Sequence, residues 1–183
     1  YAILDDDPEL ISNQLLGVEV IGEVSKLEKI SQEKYNVSIS IGHPKIRKKI
    51  YNYVKGLGFD FVNAIHPLAD LAKSVTLGEG VIINSGVVIH PAVELKDNII
   101  LGINATVSHD SIIDSHVHIS PGVHVTGECK IEECVDIGTG AVILPRKKVK
   151  QNSIIGAGAV VNKDIKENVT AVGIPVKVIK ENN

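Results

Sequence analysis

From Leu71 onward the chain carries an aliphatic residue at every sixth position: Leu71, Leu77, Ile83, Ile89, Leu95, Leu101, Val107, Ile113, Ile119, Val125, Ile131, Ile137, Ile143, Val149, Ile155 and Val161. In a chain about one-third Leu, Ile or Val, such a run arises by chance roughly once in 10⁷ trials. Four residues after each lies a second register, mostly small or β-branched. It runs from Val75, Val81 and Val87 through Ala105, Ser111 and Cys129 to Ala159, with Lys147 as its one charged member. A period of six fits neither a helix nor a half-buried strand, which alternates every two residues. It predicts a parallel β-helix over 71–161. Three hexads make one coil, each hexad is one short strand and one turn, and aliphatic side chains stack inside.

The first third is patterned differently. Tyr1 to Leu4 is an apolar strand, Val18 to Ile21 another, and Ser25 to Ile30 a helical turn or short helix. Val37 to Ile41 alternates as a strand and Gly42 closes it. Pro44 to Leu57 is a helix, with Pro44 in its first turn and Ile46, Ile50, Tyr53, Val54 and Leu57 on one face. Phe61, Val62 and Ala64 form a last strand. Strands alternating with helices predict a small α/β, Rossmann-like domain with a parallel sheet, whose ligands bind beyond the strand carboxyl ends. Every aromatic residue lies at or before Phe61. That shift in composition, and the extended bias of a residue before proline, set the boundary near Ile65-His66-Pro67. The expected domains are therefore 1–66, the β-helix over 67–166, and a tail over 167–183.

Composition narrows the function. A net charge of −3 gives no general electrostatic hold on nucleic acid, and no apolar run is long enough to span a membrane. Tyr1 to Asp7 lacks the basic and apolar regions of an export signal. Cys129 and Cys134 are too few for a disulfide framework and match no zinc spacing, so they read as reduced thiols of a cytoplasmic protein. The chain has no methionine, which suggests missing residues. The unbroken six-residue phase shows that none is missing within 71–161.

The repeat, aliphatic-Gly-x-x-small-x, resembles the left-handed β-helix acyltransferases. Four further segments narrow the resemblance: Ile3-Leu4-Asp5-Asp6, Ile41-Gly42 leading into Lys45-Ile46-Arg47-Lys48-Lys49-Ile50, Ser108-His109-Asp110, and Val172-Gly173-Ile174-Pro175-Val176-Lys177. Together they resemble the bacterial sugar O-/N-acetyltransferase family, over essentially the whole chain. The resemblance implies an acetyl-CoA-dependent N-acetyltransferase on the 4-amine of a nucleotide-linked amino-dideoxy sugar, with a UDP-linked sugar favoured. It implies a homotrimer with sites between subunits, and no metal. The family normally opens with a strand and a Gly-rich turn that contacts the nucleotide, so both are expected ahead of Tyr1.

The resemblance also assigns roles. His109 matches the family's catalytic histidine, and its place off both inward registers fits an exposed edge. As a neutral imidazole it would take the proton an amine loses on attacking a thioester. Asp110 would orient the ring and stabilise the imidazolium. His118 matches a histidine near the thioester, though it reads equally as a solvated turn residue. Thr139, Ala157 and Gly173 match acetyl-CoA contacts made mostly through backbone. Asp5, Asp6 and Gly42 match nucleotide-sugar contacts, against the plainer reading that Asp5 to Asp7 cap a strand before Pro8. Lys45, Arg47, Lys48 and Lys49 read as a solvated helix face, or else as a diphosphate contact. His116 and His124 match nothing and read as surface residues, and His90 has a turn role at most.

Three other readings compete with this one. O-acetylation of a sugar hydroxyl, as in sialic acid O-acetyltransferases, needs the same parts. A non-catalytic nucleotide-sugar-binding trimer has no evident need of His109 and Asp110. A zinc hydratase of the trimeric β-helix type would need histidines whole coils apart, and the seven histidines show no spacing of eighteen or thirty-six.

Overall fold

The protein is described by a computed structural model over residues 1–182. From Ala64 the chain winds into a three-sided prism. Each hexad contributes a two-residue strand whose second member belongs to the aliphatic register, as in Ile100–Leu101, Thr106–Val107 and Ile112–Ile113. Side chains alternate across a strand, so that second residue points inward and the first outward. Parallel ladders join residues one coil apart. Ile100 pairs with His118 and His118 with Asp136 on the first face, Thr106 with His124 on the second, and Ile112 with Lys130 on the third.

The interior matches the periodicity. From Ile83 to Val161 every member of the aliphatic register is at most 1% exposed. The second register is buried from Val81 to Ala159 except at Lys147. Its two serines keep their hydrogen bonds: Ser111 Oγ donates to Thr126 O at 3.1 Å, and Ser153 Oγ to Lys166 O at 2.6 Å. A buried hydroxyl without such a partner would cost ~1–3 kcal/mol.

Both ends of the prism differ from expectation. Ala64–Ile65 pairs with Ile82–Ile83, so the ladder begins ahead of Pro67, and Ile65 lies six residues before Leu71 in phase. At the other end Ile165 bridges Val149, and Thr170 pairs with Ile154. Both offsets are two residues short of a full coil. One hexad is clipped and the winding continues, so the stretch expected as a tail belongs to the prism. Lys177–Glu181 runs antiparallel to Val169–Val172 along the first face, and Val176 enters the prism core.

The N-terminal region holds a mixed sheet. β1 (Ile3–Leu4) is parallel to β3 (Val18–Gly22), while β2 (Gln14–Leu15) pairs antiparallel with β3 through Leu16 and Gly17. Both turn residues have positive φ, the geometry of a tight two-residue hairpin. The pattern gives no warning of it, because Leu16 is an unusual residue in that conformation. The strand expected over Val37 to Ile41 reduces to one bridge between Val37 and Phe61. Of the last expected strand, Ala64 joins the prism instead. Val24–Lys29 is a 3₁₀ turn.

Helix α1 (Pro44–Gly56) spans the two regions. Val54, Ile50, Tyr53 and Leu57 pack with Leu27 and Phe59 in a small core. Pro44, Arg47, Tyr51 and Val54 are its buried positions, whereas Ile46 is 50% exposed. The helix therefore has a second contact face, turned to the prism and centred on a charged residue, which an apolar count does not reveal.

Candidate functional site

Turns between the faces form three edges. Residues 66–69, 84–87, 102–105, 120–123, 138–141 and 156–159 make the first-to-second edge, which contains no Asp, Glu, Lys or Arg and is called here the bare edge. The second-to-third edge, at 90–93, 108–111 and 126–129, carries His109. The third-to-first edge, at 78–81, 96–99, 114–117 and 132–135, receives α1.

On the histidine edge, Ser108-His109-Asp110-Ser111 forms a turn with Asp110 in the left-handed region, φ 56°, a conformation Asp tolerates better than most residues. Glu128 N donates to His109 O at 2.9 Å, and Ser111 Oγ accepts from Cys129 N at 3.1 Å. The turn is thus tied to the next coil. His109 Nδ1 lies 2.8 Å from Asp110 Oδ2, and both side chains are more than half exposed. With the proton on Nδ1 donated to that carboxylate, Nε2 presents a lone pair. The ring lies over Gly127 one coil on, where a Cβ would come within 2.7 Å of Nε2.

On the first face, His118 Nδ1 lies 3.2 Å from Asp136 Oδ1, directly one coil away. Gly42 sits above the ring, since a Cβ there would be 3.6 Å from His118 Cε1. A cleft at this seam is lined by His43, Pro44, Lys45, Cys134, Asp136 and Ile154. Asp5 and Asp6 make local bonds. Asp5 Oδ1 accepts from Asp7 N, and Asp6 Oδ1 from Val24 N, each at 2.9 Å. Thr139 and Ala157 are exposed on the bare edge, where Gly158 N donates to Thr139 O at 2.9 Å. Gly173, at φ 93°, follows in the same column, and its carbonyl accepts from Val160 N.

The docking edge overturns two expectations. Arg47 is fully buried, not part of a solvated face. Its guanidinium donates to five backbone carbonyls: Asn98 (3.1 Å), Ile41 (2.8 Å), Gly42 (2.7 Å), His116 (2.8 Å) and Val117 (2.9 Å). Burial lowers its pKa to about 10, with the fields of Cys134 and Asp136 opposing. His116 is 5% exposed, not a surface residue. Asn98 Nδ2 donates to its Nδ1 at 2.8 Å, and Tyr51 meets its ring edge-on at 5.2 Å. Burial pushes its pKa down to about 4. Around it, Lys48 pairs with Glu133 at 2.7 Å, and Tyr51 and Lys55 share the Glu79 carboxylate.

One simple signal would have found several of these contacts. His118 and Asp136, Asn98 and His116, Thr106 and His124, and His109 and Gly127 are each eighteen residues apart. In a coil of that length, the neighbour of any edge residue is the residue one coil away. Among the described residues no three His, Cys, Asp or Glu side chains converge as a metal site requires, and no helix is long and apolar enough to cross a membrane.

The expected site residues therefore fall into separate groups. His118 and Gly42 meet at the seam, His109 and Asp110 occupy one edge, and Thr139, Ala157 and Gly173 occupy another. A side of six residues spans at most ~20 Å, so each edge stands on the order of 15 Å from the opposite face.

A prism of hexad coils bearing an exposed His–Asp pair, with a small α/β domain on one edge, defines a hexapeptide-repeat acyltransferase architecture. Residues 1–54 match the model of the PglD N-terminal domain. The acetyltransferase domain of PglB from Neisseria gonorrhoeae FA1090, solved with acetyl coenzyme A, is 35% identical with a TM-score of 0.93, covering 97% of this chain and 85% of that one. A histidine-to-asparagine mutant of perosamine N-acetyltransferase from Caulobacter crescentus, solved with CoA and GDP-perosamine, is 32% identical with a TM-score of 0.93, covering 98% and 85%. GDP-perosamine N-acetyltransferase of Escherichia coli O157:H7 is 28% identical over 161 residues, 86% of this chain and 71% of that protein. The chain spans only 55% of another relative, the galactoside O-acetyltransferase of Lactococcus lactis, at 33% identity. The chain belongs to the sugar acetyltransferase family of glycan biosynthesis, and its solenoid is the family's left-handed β-helix.

Proposed function

We propose that the chain is an acetyl-CoA-dependent N-acetyltransferase acting on the amine of a nucleotide-linked amino sugar, with His109 as general base. One observation carries the reading: His109 Nδ1 is engaged by Asp110 at 2.8 Å, on an exposed edge, with Nε2 over a bare glycine. As the neutral amine attacks the thioester carbonyl, its proton passes to Nε2. The tetrahedral adduct then collapses, the C–S bond breaks, and the CoA thiolate takes that proton from the imidazolium. Asp110 holds the tautomer and stabilises the cation.

The separation of the groups supports a shared site. Within one copy, His109 and the Gly42–His118 seam lie on different sides of the prism. A homotrimer of parallel prisms would bring one copy's histidine edge to a neighbour's first face and bare edge. The bare edge suits the acetyl-CoA arm, because an edge without charged side chains exposes backbone N–H and C=O groups for contact.

The nucleotide is UDP or GDP: the family resemblance favours UDP, and GDP occurs in the names of the Caulobacter and Escherichia relatives. The relative solved with GDP-perosamine matches over 98% of this chain, whereas the Lactococcus galactoside O-acetyltransferase matches over 61%, which favours the nucleotide sugar over simple galactosides. The test is thiol release from acetyl-CoA with GDP- and UDP-linked amino sugars and their hydroxyl counterparts. His109→Asn lowers kcat by ~10²–10⁴-fold. Unchanged turnover in that variant sinks the base assignment, and an active monomer by light scattering sinks the shared site.

A further inference from the structure

We propose that Arg47 is a positioning residue that holds the Ile41–Gly42 loop at a fixed offset from the prism strand bearing His118, and so sets how a nucleotide sugar on that loop meets the acetyl donor. The proposal rests on the nucleotide-sugar reading above.

Arg47 spends its whole hydrogen-bonding capacity in one place. A guanidinium has five N–H donors, and all five reach backbone carbonyls within 3.1 Å. Three of those carbonyls belong to the prism, at Asn98, His116 and Val117. The last two immediately precede His118 in the chain. The other two, at Ile41 and Gly42, belong to the loop and not to the helix that carries Arg47.

That division separates a positioning role from simple fastening. An arginine that only docked α1 would need prism carbonyls alone. Here two donors fix a loop that has no regular structure of its own. Among the described hydrogen bonds no other holds the carbonyls of Ile41 and Gly42. Gly42 also approaches the His118 ring closely enough that a Cβ would touch it. One planar, rigid fork thus spans two successive loop carbonyls, one of them on the glycine that approaches the imidazole, and the two peptides leading into His118. Lysine, with three donors at a single point, cannot bridge both sets.

The test is Arg47→Lys in the full chain, below its melting temperature. The KM for the nucleotide sugar rises at least tenfold while the KM for acetyl-CoA changes less than threefold. Backbone order parameters of Ile41 and Gly42 fall from the rigid range near ~0.85 to below ~0.6, with the Ile100–Val107 stretch unchanged. Equal rises in both KM values, or a rigid loop in the variant, overturn the proposal and leave Arg47 as a fastener. If the wild type transfers acetyl to no nucleotide sugar, the functional reading fails, and the loop measurement still decides the tether. If the variant does not fold, order parameters below ~0.6 for these residues in the wild type overturn it.

Discussion

The prism and the N-terminal domain reach stability by opposite means. The prism repeats one contact: an aliphatic side chain stacked on the equivalent residue of the coils before and after it, in a continuous buried cluster from Val81 to Val176. The N-terminal domain gathers only three buried residues in its own core cluster, Leu27, Val54 and Phe59. It leans on the prism through Arg47, Tyr51 and Lys48, which reach partners 28 to 85 residues away. Repetition makes each prism contact replaceable in kind. The seam has no second copy of any contact, so single residues there carry geometry as well as energy.

The comparison can be broken at its strong end first. Ile119→Ala, mid-prism and fully buried, costs ~3–5 kcal/mol, because neighbours fixed by two ladders cannot collapse into the cavity. Val54→Ala in the small core costs about half as much, since it removes one carbon fewer and that core can close around the gap. Denaturant melts of both variants check the ratio, and equal losses would mean the small core is as rigid as the prism.

At the seam the sensitive variable is pH. His116 has its pKa lowered to about 4 by burial, with Glu133 and Asp97 opposing and Lys48 and Arg47 assisting. The folded state therefore binds fewer protons than the unfolded one between about pH 6.5 and pH 4. Stability is present above that window and is lost as pH falls through it, by at most ~3 kcal/mol. His116→Gln flattens that part of the pH–stability profile, and an unchanged slope assigns the acid sensitivity to another group.

The smallest effect sharpens the comparison within the prism. Gly127 does not have positive φ; Glu128 takes the left-handed place in that turn. The three atoms nearest a methyl at 127 all belong to the His109 ring, which can swing away. Gly127→Ala leaves the melting temperature within ~2 °C but lowers kcat about tenfold, equivalent to ~1.4 kcal/mol in the barrier. A matching loss of stability would show that 127 serves the fold.

Legibility in the sequence follows the same divide. The prism could be read because each hexad repeats the demand of the last, and even polar neighbours such as His118 and Asp136 follow from the coil length. His109 stands out chiefly because Ser108-His109-Asp110 resembles the family's catalytic motif; its place off both inward registers, which the other prism histidines share, only marks it as exposed. The seam was not readable. Arg47 sits among Lys45, Lys48 and Lys49 and looks like a solvated cation, since nothing local announces five carbonyls gathered from three stretches of chain. His116 reads as a surface residue because its burial comes from Tyr51 and α1, not from its own hexad. The clipped hexad after Val161 hid the last coil by shifting the phase by two.

The length of a coil also acts as an altimeter. Each coil climbs about 4.8 Å, the spacing of neighbouring strands. A rotation about an axis parallel to the prism changes a residue's bearing and leaves its elevation alone. In the proposed trimer, residues on different copies can meet only if they stand at similar heights. His109 and His118 are nine residues apart, half a storey or ~2.4 Å of climb. Thr139 and Ala157 stand ~8 and ~13 Å higher than His109. Along that shaft an extended acyl carrier would run upward, with its reactive end at the level of the two histidines.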